Sequence, residues 1–187
     1  MGILRKLYAF LIDILQSLLI AAAIFLVIYI WFFQPFNVIG LSMYPNFQDK
    51  SYVLTNKIRL NFEKPKLGDV IVFKAPPDPE KSFIKRVIGT PGDSIIIENG
   101  KVILNGKQLD ESAYLKPSVK TFGGAWIREG QEITVPANSY FVLGDNREAS
   151  SDSREWGLVG EKAIEGYSFF VYWPIPDIKV VQNPYQK

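Results

Sequence analysis

From Ile14 to Phe33 the chain reads ILQSLLIAAAIFLVIYIWFF, interrupted in its apolar character only by Gln16 and Ser17. In a helix these roughly 20 residues span ~30 Å, the hydrocarbon thickness of a bilayer. No soluble domain of this size would carry so long an apolar run without burying it, so the segment sets the organisation of the rest. Asp13 precedes it at the interface, and Tyr29, Trp31, Phe32 and Phe33 form an aromatic cluster suited to the far boundary. Arg5 and Lys6, with no acid beside them, favour a cytoplasmic N-terminus. The expected organisation is a cytoplasmic tail over 1–6, a single-pass anchor over 7–33 and an extracytoplasmic domain over 34–187, placing the protein in a cell membrane. Ala21-Ala22-Ala23 offers small residues for removal of a leader, but a cut there would leave a further apolar and aromatic stretch behind. The uncleaved anchor is therefore the reading adopted.

Behind the anchor, β-branched and aromatic residues come in short runs, SYVL, VIVF, SIII, KVIL, SYFVLG and YSFFVYW, separated by glycine and proline. Asn99-Gly100 between Ile95-Ile96-Ile97 and Val102-Ile103-Leu104 is a hairpin signal, and Asn105-Gly106 marks a further turn. Thr90-Pro91-Gly92-Asp93 reads as a turn, and the proline cluster from Ala75 to Glu80 as an exposed loop. The expected fold class is mainly β: an antiparallel catalytic domain of several small sheets or a partly closed barrel. A formal charge of +2 over 187 residues gives no support for a nucleic-acid partner.

The chain holds neither histidine nor cysteine. A hydrolase built from it has no imidazole base, no thiolate nucleophile and no ordinary zinc site, and is expected to need no cofactor. A serine activated by a neutral lysine remains open. Ser42, in Ser42-Met43-Tyr44-Pro45, lies about nine residues beyond Phe33, so even an extended link reaches only ~30 Å; whatever Ser42 does, it does near lipid. Alone, that tetrapeptide is a turn. Lys85-Arg86 lies in FIKRVIGTPGD, where Phe83 and Val87 share the lysine's side of a strand and Ile84 and Ile88 the arginine's. Arginine keeps its proton in a protein, whereas a lysine buried among such residues can become a neutral amine. The run GDNREASSDSREWG gathers Asp145, Arg147, Asp152 and Arg154 around Ser150, Ser151 and Ser153, a polar turn stiff enough to wall an amine.

These stretches, together with Gly68-Asp69-Val70-Ile71-Val72-Phe73 and in this order behind an anchor, resemble bacterial type I signal peptidases from the anchor to about Trp173. The resemblance implies a predominantly β fold and a membrane-bound serine endopeptidase that removes N-terminal signal peptides from exported preproteins after small residues. It makes Ser42 the nucleophile, Lys85 the general base and Ser150 a serine that orients the lysine. It makes Asp152 and Arg154 a structural ion pair, with Asp145, Asn146 and Arg147 completing the turn, and gives Met43 and Pro45 the shaping of the nucleophile loop. One departure concerns the oxyanion. Some members carry a serine two residues before the nucleophile, where this chain has Gly40, so the oxyanion falls mainly to backbone N–H groups, that of Ser42 first. The 94–135 segment has room only for a reduced accessory β region. Within it, Phe122-Gly123-Gly124-Ala125-Trp126 reads either as a membrane-dipping loop or as a tryptophan in a minor core. Two other readings stay open: a Ser/Lys processing protease with one dedicated substrate, and a non-catalytic anchored β scaffold.

Overall fold

The computed structural model describes residues 2–186, apart from the side chains of residues 28–32. Met1, Lys187 and the expected aromatic cluster at Tyr29, Trp31 and Phe32 thus lie outside the described structure. Helix α1 (Gly2–Phe32) is one uninterrupted helix, so residues 2–6 of the expected tail are helical too, while Phe33 already belongs to a strand. Its Gly2–Val27 stretch is long and apolar enough to cross a membrane, and none of it is buried against protein. A helix that is apolar on all sides and has no protein cover is a membrane anchor.

The chain divides into two units, 1–34 and 35–187. The second is mainly β. Its strands are β1 (Phe33–Asn37), β2 (Tyr52–Asn56), β3 (Val70–Ala75), β4 (Asp78–Gly89), β5 (Ser94–Glu98), β6 (Lys101–Leu104), β7 (Lys107–Gln108), β8 (Glu132–Thr134), β9 (Ser139–Leu143), β10 (Val159–Gly160), β11 (Ile164–Trp173) and β12 (Lys179–Val180). Two one-turn helices, α2 (Arg59–Phe62) and α3 (Ser153–Trp156), interrupt them. An eight-stranded sheet runs β1-β2-β11-β3-β4-β9-β10, with β12 also on β11, and a four-stranded sheet runs β7-β6-β5-β8. The larger sheet has two ends, and among the described residues no pairing joins β10 back to β1. The smaller sheet falls wholly within 94–135, where a reduced accessory region was expected.

Strand β3 is buried on both faces, which is why it reads as a continuous apolar run rather than an alternating one. Val70 and Val72 pack with Met43, Phe47, Val53 and Ile84, while Ile71 and Phe73 pack with Val87, Tyr140, Val142 and Tyr167. A third cluster, from Ile88 through Ile95, Ile97 and Ile127 to Phe141 and Leu143, joins the two sheets. The turns follow their residues. Asn99 and Gly100 take φ of 54° and 78°, and Asn105 and Gly106 51° and 76°, the paired positive angles of type I′ hairpins.

The proline cluster is not a loop. Ala75 pairs with Asp78, leaving Pro76 and Pro77 as the two turn residues of a tight hairpin, and β4 begins inside the cluster. Between the Ala75–Asp78 and Lys74–Ser82 pairs the register shifts, so Pro79 sits in a bulge, where a missing N–H is tolerated. Phe73, fully buried between Phe83 and Trp156, holds the β3–β4 packing. Phe73→Ala is expected to destabilise the domain by about 3–5 kcal/mol, read as a lowered urea midpoint at unchanged slope.

Candidate active site

The loop after β1 is pinned at both ends. Val38 N–H donates to Ser51 O at 2.8 Å, and Lys50 N–H donates to Val38 O at 2.7 Å. Between them Met43 and Phe47 are inserted into the core, and Phe47 N–H donates to Met43 O at 2.9 Å. Gly40 takes φ +95°, a left-handed conformation that a side chain would strain, and its N–H donates to Asp49 Oδ1 at 2.7 Å. Pro45 is exposed on the outer side of the loop. Ser42 is thereby presented, half-buried, from a stiff turn.

Strand β4 brings the lysine to it. Lys85 and Arg86 are each 3 % exposed, so adjacent residues of one strand bury cations on opposite faces. Lys85 Nζ lies 2.7 Å from Ser42 Oγ, 3.0 Å from Ile84 O and 5.2 Å from the centre of the Phe83 ring. Burial pushes the ammonium down to about 8, against the pull of the Asp152 and Asp145 carboxylates. Among the described residues no carboxylate forms an ion pair with it.

Arg86 is treated in the opposite way. Its Nε and Nη2 donate to Asp145 at 2.8 and 2.7 Å, its Nη1 to Gly68 O at 3.0 Å, and its guanidinium stacks 4.2 Å from the Tyr114 ring. Asn46 Nδ2 donates to Asp145 Oδ2 and to Tyr114 O, each at 2.8 Å. The turn carrying Asp145 also holds the Ser42 loop. Asn146 N–H donates to Ser42 O at 3.0 Å, Asn146 Nδ2 to Leu41 O at 3.0 Å, and Asp145 N–H approaches Met43 Sδ at 3.4 Å. The Ser42 N–H has no acceptor among the described residues.

Behind this wall Asp152 accepts from Gly144 N–H at 3.0 Å and pairs bidentately with Arg154 at 2.8 and 2.9 Å. Arg154 Nη2 also donates to Arg147 O at 2.7 Å. Arg147 donates to Gly144 O at 3.0 Å and reaches the carboxylate of Glu111 and the hydroxyl of Thr121. Ser150 lies in the same turn. Its Oγ is buried beside Gly144 with no hydrogen-bond partner among the described residues. Trp126 is 39 % exposed, and its indole lies against Gly157 and near Phe141.

Four contributors escaped the sequence reading. Arg86 as the partner of Asp145 was detectable in principle, since a cation flanked by Ile84 and Ile88 on its own face must find a buried carboxylate. Asn46, Glu111 and Thr121 carry no local signal; they are joined to the site only by the fold.

A groove of about 600 Å³ opens at Ser42 and Lys85. One wall is the stretch from Phe36 to Ser42 and the other the stretch from Lys81 to Lys85, over a floor of Val53 and Val72. The exposed side chains of Ile39, Leu41, Tyr52 and Trp173 belong to the same loop, to β2 and to β11 beside β2.

A family model described as signal peptidase, peptidase S26, matches residues 11–173. A probable signal peptidase I-2 of Synechocystis is 35 % identical over 148 residues, which cover 76 % of this chain and 64 % of that protein. A signal peptidase IB of Staphylococcus aureus is 33 % identical over 186 residues, covering 92 % of this chain and 96 % of that protein. A crystal structure of a signal peptidase I from Enterococcus faecalis aligns with 29 % identity and a TM-score of 0.47, covering 56 % of this chain and 97 % of that one.

Removing the charge of Asp145 while keeping its shape leaves the Arg86 guanidinium buried without a counter-ion. Asp145→Asn is expected to cost about 3–5 kcal/mol in urea denaturation. Lys85 has the opposite sign. Below about pH 8 both folded and unfolded chains carry its proton, and the buried ammonium costs the fold about 3 kcal/mol; from there to about 10.5 the cost fades as the folded amine discharges first. Lys85→Met is therefore expected to leave the domain at least as stable as wild type at pH 7, in the same denaturation experiment.

Proposed function

This chain belongs to the signal peptidase family, peptidase S26, and from that membership we propose that it is a membrane-anchored serine endopeptidase using Ser42 and Lys85 to cut signal peptides from exported preproteins. The observation that carries the reading is the 2.7 Å approach of Lys85 Nζ to Ser42 Oγ at the groove. The neutral ε-amine takes the hydroxyl proton as Oγ attacks the scissile carbonyl carbon. The resulting ammonium gives that proton to the departing amine, and the neutral amine then deprotonates the water that hydrolyses the acyl-enzyme. One group serves both half-reactions.

The developing oxyanion needs a donor held in place beforehand, and the unengaged N–H of Ser42 fits that role. Gly40, with no side chain at the groove, leaves room beside it. The Ser150 hydroxyl, without a hydrogen-bond partner among the described residues, is taken, with the rest of the family reading, as the acceptor that orients Lys85 once it is charged. Among the described residues the edge of β4 away from β3 has no ladder partner before Arg86, so an extended substrate can add to it as a strand and bring its carbonyl to Ser42. Cleavage after small residues is the family's preference and is taken over with the rest of the reading.

The apolar helix anchors the chain in a membrane, and Arg5 and Lys6 orient it with the N-terminus cytoplasmic and the β domain outside. The exposed Ile39, Leu41, Tyr52 and Trp173 suit contact with the lipid surface. Tethering places Ser42 in the same thin layer as a membrane-held signal peptide, raising its effective concentration.

With a purified preprotein and the full chain in detergent, the expected product has a new N-terminus after a small–x–small site, identified by mass spectrometry. Ser42→Ala and Lys85→Met are each expected to lose at least about 10³-fold in rate. Acylation should rise with pH through a midpoint near 8, falling about tenfold per unit below it as the amine becomes protonated. Cleavage that survives either substitution, or that is indifferent to pH between 6 and 9, would show the assigned pair to be wrong.

A further inference from the structure

The glycine and aspartate that open Gly68-Asp69-Val70-Ile71-Val72-Phe73 take no part in the chemistry above, yet both are buried. They sit directly behind the dyad strand. Gly68 N–H donates to Val87 O at 2.9 Å, Val87 N–H donates to Asp69 O at 2.8 Å, and Gly68 O takes the 3.0 Å bond from Arg86. Three bonds therefore fasten these two residues to the pair immediately following Lys85.

The segment after β12 lies across them. Val181 N–H donates to Phe169 O at 2.8 Å, and Asn183 Nδ2 then donates to Leu67 O and to Asp69 Oδ1, each at 2.8 Å. Tyr185 N–H donates to Asn183 Oδ1 at 2.9 Å, its hydroxyl donates to Asp110 O at 2.6 Å, and its ring meets Tyr114 edge-on at 6.4 Å. Gly68, at φ +87°, is the point of closest approach. A Cβ there would come within 2.6 Å of both Asn183 and Tyr185 and 3.1 Å of Pro184.

We propose that residues 183–185 are a positioning strap for the Ser42–Lys85 dyad, acting through Gly68–Asp69 on one side of Arg86 and through Tyr114 on the other. Both sides end on the same ion pair. Gly68 O fixes one end of the guanidinium, Tyr114 supports its face, and the guanidinium fixes Asp145, whose neighbour Asn146 holds Ser42 O and Leu41 O. The strap touches neither Ser42 nor Lys85. It sets how far the nucleophile loop stands from β4, and so the separation on which proton transfer depends. This role rests on the peptidase reading of the site.

The test compares kcat, KM and melting temperature of the full chain in detergent, on a preprotein-derived peptide, for wild type, Asn183→Ala, Tyr185→Phe, Gly68→Ala and the Gly68→Ala/Asn183→Ala double variant. Displacing the strap should lower kcat about tenfold in Gly68→Ala and Asn183→Ala, with KM within about twofold, at temperatures where each variant is folded. Tyr185→Phe, which loses one hydroxyl, should show a smaller loss in the same direction. The double variant should be no slower than the slower single one, because both lesions release one device. Folded Asn183→Ala and Tyr185→Phe with wild-type kcat would overturn the proposal, whether or not Gly68→Ala folds. So would losses that multiply in the double variant. A wild-type chain that cuts no peptide would overturn the peptidase reading itself, an outcome distinct from intact cleavage indifferent to the strap.

Discussion

Strand β4 buries two cations side by side, and the domain resolves them in opposite ways. Arg86 cannot discharge, so the fold provides a bidentate carboxylate, a carbonyl and an aromatic face for it. Lys85 can discharge, and the fold gives it a hydroxyl, a carbonyl and a phenyl ring but no ion pair. Apolar burial thus has different consequences one residue apart. On one face it demands a permanent ion pair that ties distant loops together; on the other it brings an amine toward neutrality near physiological pH. The ion pair also holds the turn at 144–147, which is bonded to the loop of Ser42, so the buried Arg86 bears on the position of the residue that Lys85 faces.

Much of this was legible before any coordinates. The anchor announces itself by length, the hairpins by Asn-Gly pairs, and the turn at Thr90–Asp93 by proline and glycine at positions where Gly92 takes φ +92° and Asp93 N–H returns to Thr90 O. The order of the motifs pointed to Ser42 and Lys85, and strand alternation put Phe83 and Val87 with the lysine. What misled was proline. Its clustering at Ala75–Glu80 reads as a break in structure, but a residue without an N–H disrupts a strand only where a neighbour needs that donor. The bulge that holds Pro79 needs none. The arrangement of the strands into an open eight-stranded sheet and a separate four-stranded one was equally hidden, since which strands pair is decided by contacts far apart in sequence. The same holds for Asn46, Glu111 and Thr121, which meet Asp145 and Arg147 across tens of residues.

The position of Ser42 depends on a residue with no side chain. Gly144 lies where a Cβ would run into both the Ser150 hydroxyl and the Ser42 carbonyl, its N–H is taken by Asp152 and its O by Arg147. Three segments converge on that point because nothing projects from it, and any side chain there would push the Ser42 loop outward. Such a displacement would change more than a distance. Lys85 is held low by exclusion from water, and the loop of Ser42 forms part of what excludes it. Parting the loop from β4 would lengthen the path of the proton and also hydrate the amine, raising its pKa toward the ordinary lysine value. Geometry and basicity at this site are therefore one property. The buried ion pairs at Asp145 and Asp152 act on the chemistry by keeping the gap closed, although neither touches the serine.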